Sequence, residues 1–221
     1  AGPTAAAGTV GRTTDISDAF VGATLSAVNL TGTAFNITDV ATSVAATFDG
    51  SALTGDGATI STGLTVAGSA TAGSTITGSA VHDAFTIAAE GSTYNGNAGD
   101  DTFTTTVAIL VADGATDVVL AGGAGTDTLT VTGNNTTLTD NHFTNVSAFE
   151  KLTFTGTQDV SVTSGTAFNS GFASGVTITD GVTATTKNVT YALGLSNVDA
   201  TIVSIGGSQT GATTEDVNIT T

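Results

Sequence analysis

"LAGGAGTDTLTV" occupies residues 120–131, and within it Gly122 to Thr130 spell Gly-Gly-x-Gly-x-Asp-x-Leu-x without a mismatch. Nonapeptides of this form, with an apolar eighth residue, are the repeat of calcium-binding parallel β-helices. Working outward, "GNAGDDTFT" at 96–104 departs only by Asn97 at the second position. Asparagine is the residue after glycine that best tolerates left-handed dihedrals, so the substitution is conservative. "GSAVHDAFT" at 78–86 keeps Gly78, Asp83 and Phe85 but loses two glycines.

The spacing carries as much as the letters. Gly78 to Gly96 is 18 residues, two nonapeptides, so a chain that turns once per unit returns to the same side and position 83 stacks near 101. The unit between, "IAAEGSTYN" at 87–95, keeps an apolar eighth residue, Tyr94, and "SATAGSTIT" at 69–77 keeps Ile76. These read as turns without ligands. Gly96 to Gly122 is 26 residues, one short of three units, which places a frame slip within 104–116 and makes Asp117-x-Val119 a worn fourth copy.

The chemistry follows from the residue types. Glycines let the backbone bend so that carbonyl oxygens point inward, the aspartate adds a charged oxygen, and the apolar residue fills the core. Calcium takes six to eight hard oxygens at flexible geometry, which two successive turns can supply and one cannot. Asp100, Asp101, Asp113, Asp117 and Asp127 fall within 100–127, a stretch with no Lys or Arg, so a divalent cation would relieve their repulsion. Against this stands the plainer reading that Gly-rich turns with Asp occur in any Thr/Gly-rich β protein without binding an ion.

The whole chain of 221 residues has the same bias. Nineteen acidic residues face only Arg12, Lys151 and Lys187, for a net charge of -16. Such a chain repels nucleic acid, and an anionic membrane surface is disfavoured unless a divalent cation intervenes. With 39% hydrophobic residues it can fold, and roughly a fifth of it is threonine, which suits the solvent face of a pleat. There are no cysteines, hence no disulfides or thiolate metal sites, and no apolar run long enough for a transmembrane segment. The opening "AGPTAAAGTVGR" lacks the pattern of a signal peptide and suits a processed chain or a fragment.

Short alternating runs closed by Gly, Asn or Asp recur throughout, among them "AFNITDV", "STITGSA", "KLTFTG", "DVSVTSG", "GVTITDG", "NVTYALG" and "DVNIT". These predict an all-β chain: short parallel β-roll or β-helix (solenoid) coils around the repeat, flanked by Thr-rich strand regions, with a β-sandwich as the alternative. Three zones are expected: 1–66, an N-terminal β region; 67–140, the repeat region; and 141–221, a Thr-rich β region continuous with it or separate. "TTTVAILVADGA" at 104–115 is read as a strand rather than a short helix. The Asp-Gly steps at 49–50, 56–57, 113–114 and 180–181, and Asn95-Gly96, are read as reversals with positive φ.

The nonapeptides resemble those of the RTX family of secreted bacterial proteins. "LTDNHFTNVSAFEKLTFTG" at 138–156 also looks like the Phe-x-Asn-Val-x-x-x-Glu-x-Leu segments of RTX-bearing surface-layer proteins. The resemblance implies calcium-dependent folding after export, commonly by a type I route, and self-assembly at the cell surface. By motif position it implies as ligands Gly96, Ala98, Asp101, Gly122, Ala124 and Asp127, the Gly and Ala through carbonyls, with Asp100, Asp117 and Asp83 as further candidates. The motif covers about 78–130 only, and the array is shorter than in RTX toxins.

Other constellations are weaker. His82 and His142 lie 60 residues apart with no ligand-spaced partner, so zinc is not expected and both read as turn or surface histidines. Glu150-Lys151 reads as an exposed ion pair, and no Ser-His-Asp set, phosphate loop or dinucleotide fingerprint occurs. The leading expectation is therefore an extracellular, calcium-binding structural protein, not an enzyme, that self-assembles into a surface layer or filament, with residues 1–10 as a candidate assembly arm. The alternative is a module of an RTX adhesin gripping a surface or a cell-surface polysaccharide. A β-helix enzyme acting on acidic polysaccharide is disfavoured, since it needs clustered cations and has three scattered ones.

Overall fold

The computed structural model describes residues 12–15, 27–39, 45, 47–55, 57, 62–68, 72–114, 116–134, 136–156, 159–180, 189–194, 199–205 and 215–220. The expected arm at 1–10 and the Asp180-Gly181 reversal lie outside them. The first strands are β1 (Arg12–Asp15), β2 (Ala27–Gly32), β3 (Phe35–Asp39), β4 (Thr47–Leu53), β5 (Thr62–Gly68) and β6 (Thr75–Thr77). Next come β7 (His82–Ile87), β8 (Thr93–Asn95), β9 (Thr102–Thr106), helix α1 (Val107–Leu110), β10 (Val119–Ala121), β11 (Thr128–Thr132) and β12 (Thr136–Leu138). After a 3-10 turn at Asp140–Phe143 follow β13 (Val146–Ser147), β14 (Lys151–Thr155), β15 (Val160–Thr163), α2 (Thr166–Gly171), β16 (Val176–Asp180), β17 (Val189–Gly194), β18 (Ala200–Ile205) and β19 (Glu215–Thr220).

The chain is mostly β, as expected, and its sheets are parallel. One nine-stranded sheet has the order β1-β3-β5-β7-β9-β11-β14-β16-β18; six strands form β13-β10-β8-β6-β4-β2, and four form β12-β15-β17-β19. The chain thus alternates between sheets, and the nine-stranded sheet draws strands from all three expected zones. Every pairing among the described residues is parallel, which is not the antiparallel pairing of a β-sandwich. None of the described helices is long and apolar enough to cross a membrane.

Period-two alternation explains the strands. In β9 and β11 every second residue is buried, and the register aligns these residues across the sheet. Val66, Phe85, Phe103, Leu129, Leu152 and Ile178 form one buried column. On the opposite face Thr86, Thr104, Thr130, Thr153 and Thr179 form a second column, half-buried or exposed. The threonine bias is therefore used as expected, as the β-branched outer face of the pleat. Phe48, Ile76, Tyr94, Leu120 and Val146 are the matching buried column of the six-stranded sheet.

Aromatic rings close the core. Phe103 lies 4.7 Å from Phe85 and 5.0 Å, edge-on, from Phe149. Phe143 meets Phe168 of α2 at 4.9 Å, and Phe168 meets Phe172 at 4.8 Å. The apolar positions of the segment "NHFTNVSAFE" are thereby accounted for by packing: Phe143, Val146 and Phe149 are all buried.

Two local expectations are corrected. Residues 104–115 are not one strand: β9 ends at Thr106 and α1 takes over, burying Leu110 and resting Val107 and Ile109 against the core. Because β9 pairs with β11, and β8 with β10, at offsets of 26 rather than 18, the surplus residues leave the sheet between 106 and 119, where the frame slip was expected. Nor are all the Asp-Gly and Asn-Gly steps left-handed. Gly57 has φ 76, but Gly50 sits inside β4, and Gly50, Gly96 and Gly114 are not among the positive-φ residues. A parallel arrangement has no hairpins to serve, and the left-handed positions fall instead at corners such as Gly91, Gly99, Gly123 and Gly125.

Candidate metal centre

Strand register assembles a row of carboxyls that no short window of sequence displays. Pairing of Ala84 with Thr102, Thr102 with Thr128 and Thr128 with Lys151 sets Asp83, Asp101, Asp127 and Glu150 side by side, each just ahead of those paired residues. Each carboxyl then accepts the backbone N–H of the preceding member. Asp83 N–H donates to Asp101 Oδ1 at 2.7 Å, Asp101 N–H to Asp127 Oδ1 at 2.8 Å, and Asp127 N–H to Glu150 Oε2 at 2.8 Å.

The expected stacking of position 83 on 101 is thus present, but the row's members differ in what remains free. Asp83 is saturated: Oδ1 accepts from Leu64 N–H at 2.5 Å and Ser79 Oγ at 2.8 Å, and Oδ2 from Ser79 N–H at 2.6 Å. Asp101 and Asp127 are fully buried, yet Oδ2 of each has no hydrogen-bond partner. Buried acceptors without donors are costly, and a bare carboxylate more so.

The first glycine of each motif copy explains what faces those oxygens. A Cβ on Gly96 would stand 2.2 Å from Asp101 Oδ2 and 2.2 Å from the Gly122 carbonyl oxygen. One on Gly122 would stand 2.8 Å from Asp127 Oδ2 and 2.0 Å from the Ala148 carbonyl, and one on Gly78 would stand 2.4 Å from Asp83 Oδ2 and 2.5 Å from the Gly96 carbonyl. Each glycine therefore permits a close approach of an aspartate oxygen and a backbone carbonyl that a Cβ would block. At the second position Asn97 takes φ 76 where the perfect copy has Gly123 at φ 116, the left-handed conformation expected of it, and its amide donates to Ser79 O at 2.9 Å.

Electrostatics follow from burial. Desolvation pushes Asp101 up to about 8, with Asp83, Asp127 and Asp100 adding to the rise and the Asp83 N–H opposing it. Asp127 is pushed up to about 6, again by burial first, with Glu150 and Asp100 adding. Burial also raises Asp83, against the pull of its three donors. No group of three or more His, Asp or Glu side chains converges among the described residues, so a cation here would need backbone carbonyls beside its carboxylates. An unpartnered carboxylate oxygen beside a carbonyl supplies two hard oxygens, of the type calcium takes, towards a shell of six to eight.

The remaining expected ligands are placed as follows. Ala98 and Ala124 form an isolated parallel bridge, with Ala124 N–H donating to Asn97 O and Gly99 N–H to Ala124 O; they join successive turns. Asp100 is exposed, and its Oδ1 accepts Thr126 N–H at 2.8 Å. Asp117 stands apart from the row: Oδ1 accepts from the amides of Asp113 and Gly114, and Oδ2 from Asn145 Nδ2. The register of Val119 with Thr93 puts Val118, not Asp117, in line with Ser92 and Ser74. Those buried serines hold the motif's aspartate position in the turns read as lacking ligands.

Glu150 was not expected in the row. Rather than facing Lys151 as a surface pair, it is half-buried and reaches back to Asp127. Asp140 was also passed over. It accepts the N–H groups of Ala167 and Phe168 at 3.1 and 2.9 Å and so caps α2 from the start of the 3-10 turn. His142 is buried in the 3-10 turn and closes a capping box with Thr139, and burial lowers its pKa; His82 Nδ1 meets the Asp100 carbonyl. Among family models, curated proteins and solved structures, none matches the chain.

Proposed function

We propose that this chain is an extracellular structural protein of β-roll (solenoid) type that binds calcium and assembles with copies of itself into a surface layer or filament. The observation that carries the reading is the pair of buried, unpartnered oxygens, Asp101 Oδ2 and Asp127 Oδ2, each set against a backbone carbonyl of the following turn. Asp101 and the Gly122 carbonyl would hold one ion, and the carbonyl of Gly96 lies in the row beside Asp83. Bound calcium supplies positive charge to a buried acidic row that has no cation of its own among the described residues. The chain's part is to fix the oxygens: glycine permits their close approach, and the parallel ladder sets the spacing.

Assembly is supported by the parallel sheets, whose outermost strands among the described residues offer edges to which another copy could add. A net charge of -16 would hold copies apart until divalent ions screen it. Calcium titration against an EGTA control, followed by circular dichroism, light scattering and electron microscopy, tests both halves. Ordered sheets or fibres on adding calcium are expected. Folding and association indifferent to EGTA would refute the calcium half, and a calcium-bound chain that stays monomeric and binds polysaccharide would refute assembly in favour of an adhesin.

A further inference from the structure

We propose that the turn at 148–150 builds a second cation site against Asp127, with the Asp127 carboxylate, the Ala148 carbonyl and the Glu150 carboxylate as its protein oxygens. The inference rests on the calcium reading above and extends it past the nonapeptides, since 148–150 contains no motif copy.

Three observations converge there. First, Asp127 is fully buried and its Oδ2 has no partner, so the turn that follows leaves one charged oxygen unanswered. Second, Ala121 pairs with Ser147, which puts Ala148 in the row of Gly122 and Gly96. Ala148 takes φ 56, a left-handed conformation that side-chain-bearing residues seldom adopt. Its carbonyl oxygen and Asp127 Oδ2 both converge over Gly122, 2.0 and 2.8 Å from where a Cβ would stand, just as the Gly122 carbonyl and Asp101 Oδ2 converge over Gly96. Third, Glu150 reaches this edge of the row and holds Asp127 N–H through Oε2.

The glutamate has a geometric reason. From Gly122 to Asp127 the chain has four intervening residues, whereas from Ala148 to Glu150 it has only Phe149, which is buried in the core. A turn so shortened has less freedom to carry its carboxyl into line, and the additional methylene of glutamate gives the reach. Two carboxylates then stand at one backbone amide, and Lys151, the adjacent cation, is exposed. A hard divalent cation with flexible geometry, its shell completed by water, is the ligand class that matches. Such an ion would tie the repeat region to β14 and the strands stacked beyond it.

Equilibrium dialysis of the full chain with radioactive calcium tests this, using wild type, Asp101→Asn and Glu150→Gln. The Glu150→Gln amide keeps an oxygen for Asp127 N–H and removes the charge. One ion fewer per chain, or at least tenfold weaker binding of one ion, is expected for Glu150→Gln, and loss of a different ion for Asp101→Asn. Binding by Glu150→Gln identical to wild type would overturn the proposal while leaving the calcium reading intact. A wild type that binds no calcium overturns both. Should Glu150→Gln fail to fold, hydrogen exchange of the wild type decides: calcium should protect residues 146–151 as well as 96–127, and protection confined to 96–127 would sink the second site.

Discussion

Replacing Asp101 by Asn should strengthen the metal-free protein and remove most of what calcium adds at this site. Asp101 Oδ1 accepts Asp83 N–H at 2.7 Å, a bond that an asparagine Oδ1 retains. Its Oδ2 has no partner and faces the Gly122 carbonyl, to which an asparagine Nδ2–H can donate. Burial pushes the Asp101 carboxyl from 3.8 to about 8. A carboxyl whose pKa is higher folded than unfolded contributes stability in full below about pH 4 and loses it as the pH climbs towards 8. At about 1.4 kcal/mol per unit, the roughly three units crossed by pH 7 cost the metal-free wild type on the order of 4 kcal/mol, a ceiling because Asp127 titrates in concert. The variant has no such slope at this position. In EGTA, urea unfolding followed by circular dichroism should give similar stabilities at pH 4 and a variant more stable by about 2–4 kcal/mol at pH 7. Calcium at a thousand times its dissociation constant should cancel or reverse the order, because it adds about 4.1 kcal/mol to the wild type through this site. Asp101→Asn being less stable than wild type in EGTA at pH 7, or gaining as much from calcium, would refute the reasoning.

Gly96→Ala would place a methyl 2.2 Å from both Asp101 Oδ2 and the Gly122 carbonyl; a loss of about 1–3 kcal/mol and of calcium affinity is expected, measured by unfolding and calorimetry. Phe103→Ala empties the ring position between Phe85 and Phe149 and should cost about 3–5 kcal/mol in EGTA and calcium alike, so a cost confined to one condition would contradict a pure packing role. Asp140→Ala removes the acceptor of two α2 amides, for about 1 kcal/mol, with the number of bound calcium ions unchanged by dialysis.

How far sequence reaches can be seen at individual residues. The 18-residue return from Gly78 to Gly96 predicted that 83 would lie over 101, and the ladder pairs Ala84 with Thr102 at that offset. The slip before Gly122 was also expected, but its form was not: an apolar run of "VAIL" suits strand and helix alike, and burial of Leu110 under a single helical turn depends on neighbours far along the chain. Asp117 shows the limit most plainly. The spacing Asp117-x-Val119 makes it a ligand, whereas the pairing of Val119 with Thr93 puts Val118 in that row, because one residue of slippage moves every side chain to the opposite face.

By itself the sequence determined the alternation that buries one column and lines the outer face with threonine, the positions of the glycines, and the excess of acid over base. These are local properties: side-chain period, left-handed tolerance and charge. Tertiary structure alone decided which acidic groups meet. Glu150 joins Asp127 across 23 residues, Asp83 is satisfied by Leu64 and Ser79, and Asp101 and Asp127 keep an unpartnered oxygen. The reason is physical: strand pairing sets the register between distant segments, corners of unequal length absorb the differences, and no periodicity in the chain records how many residues a corner holds.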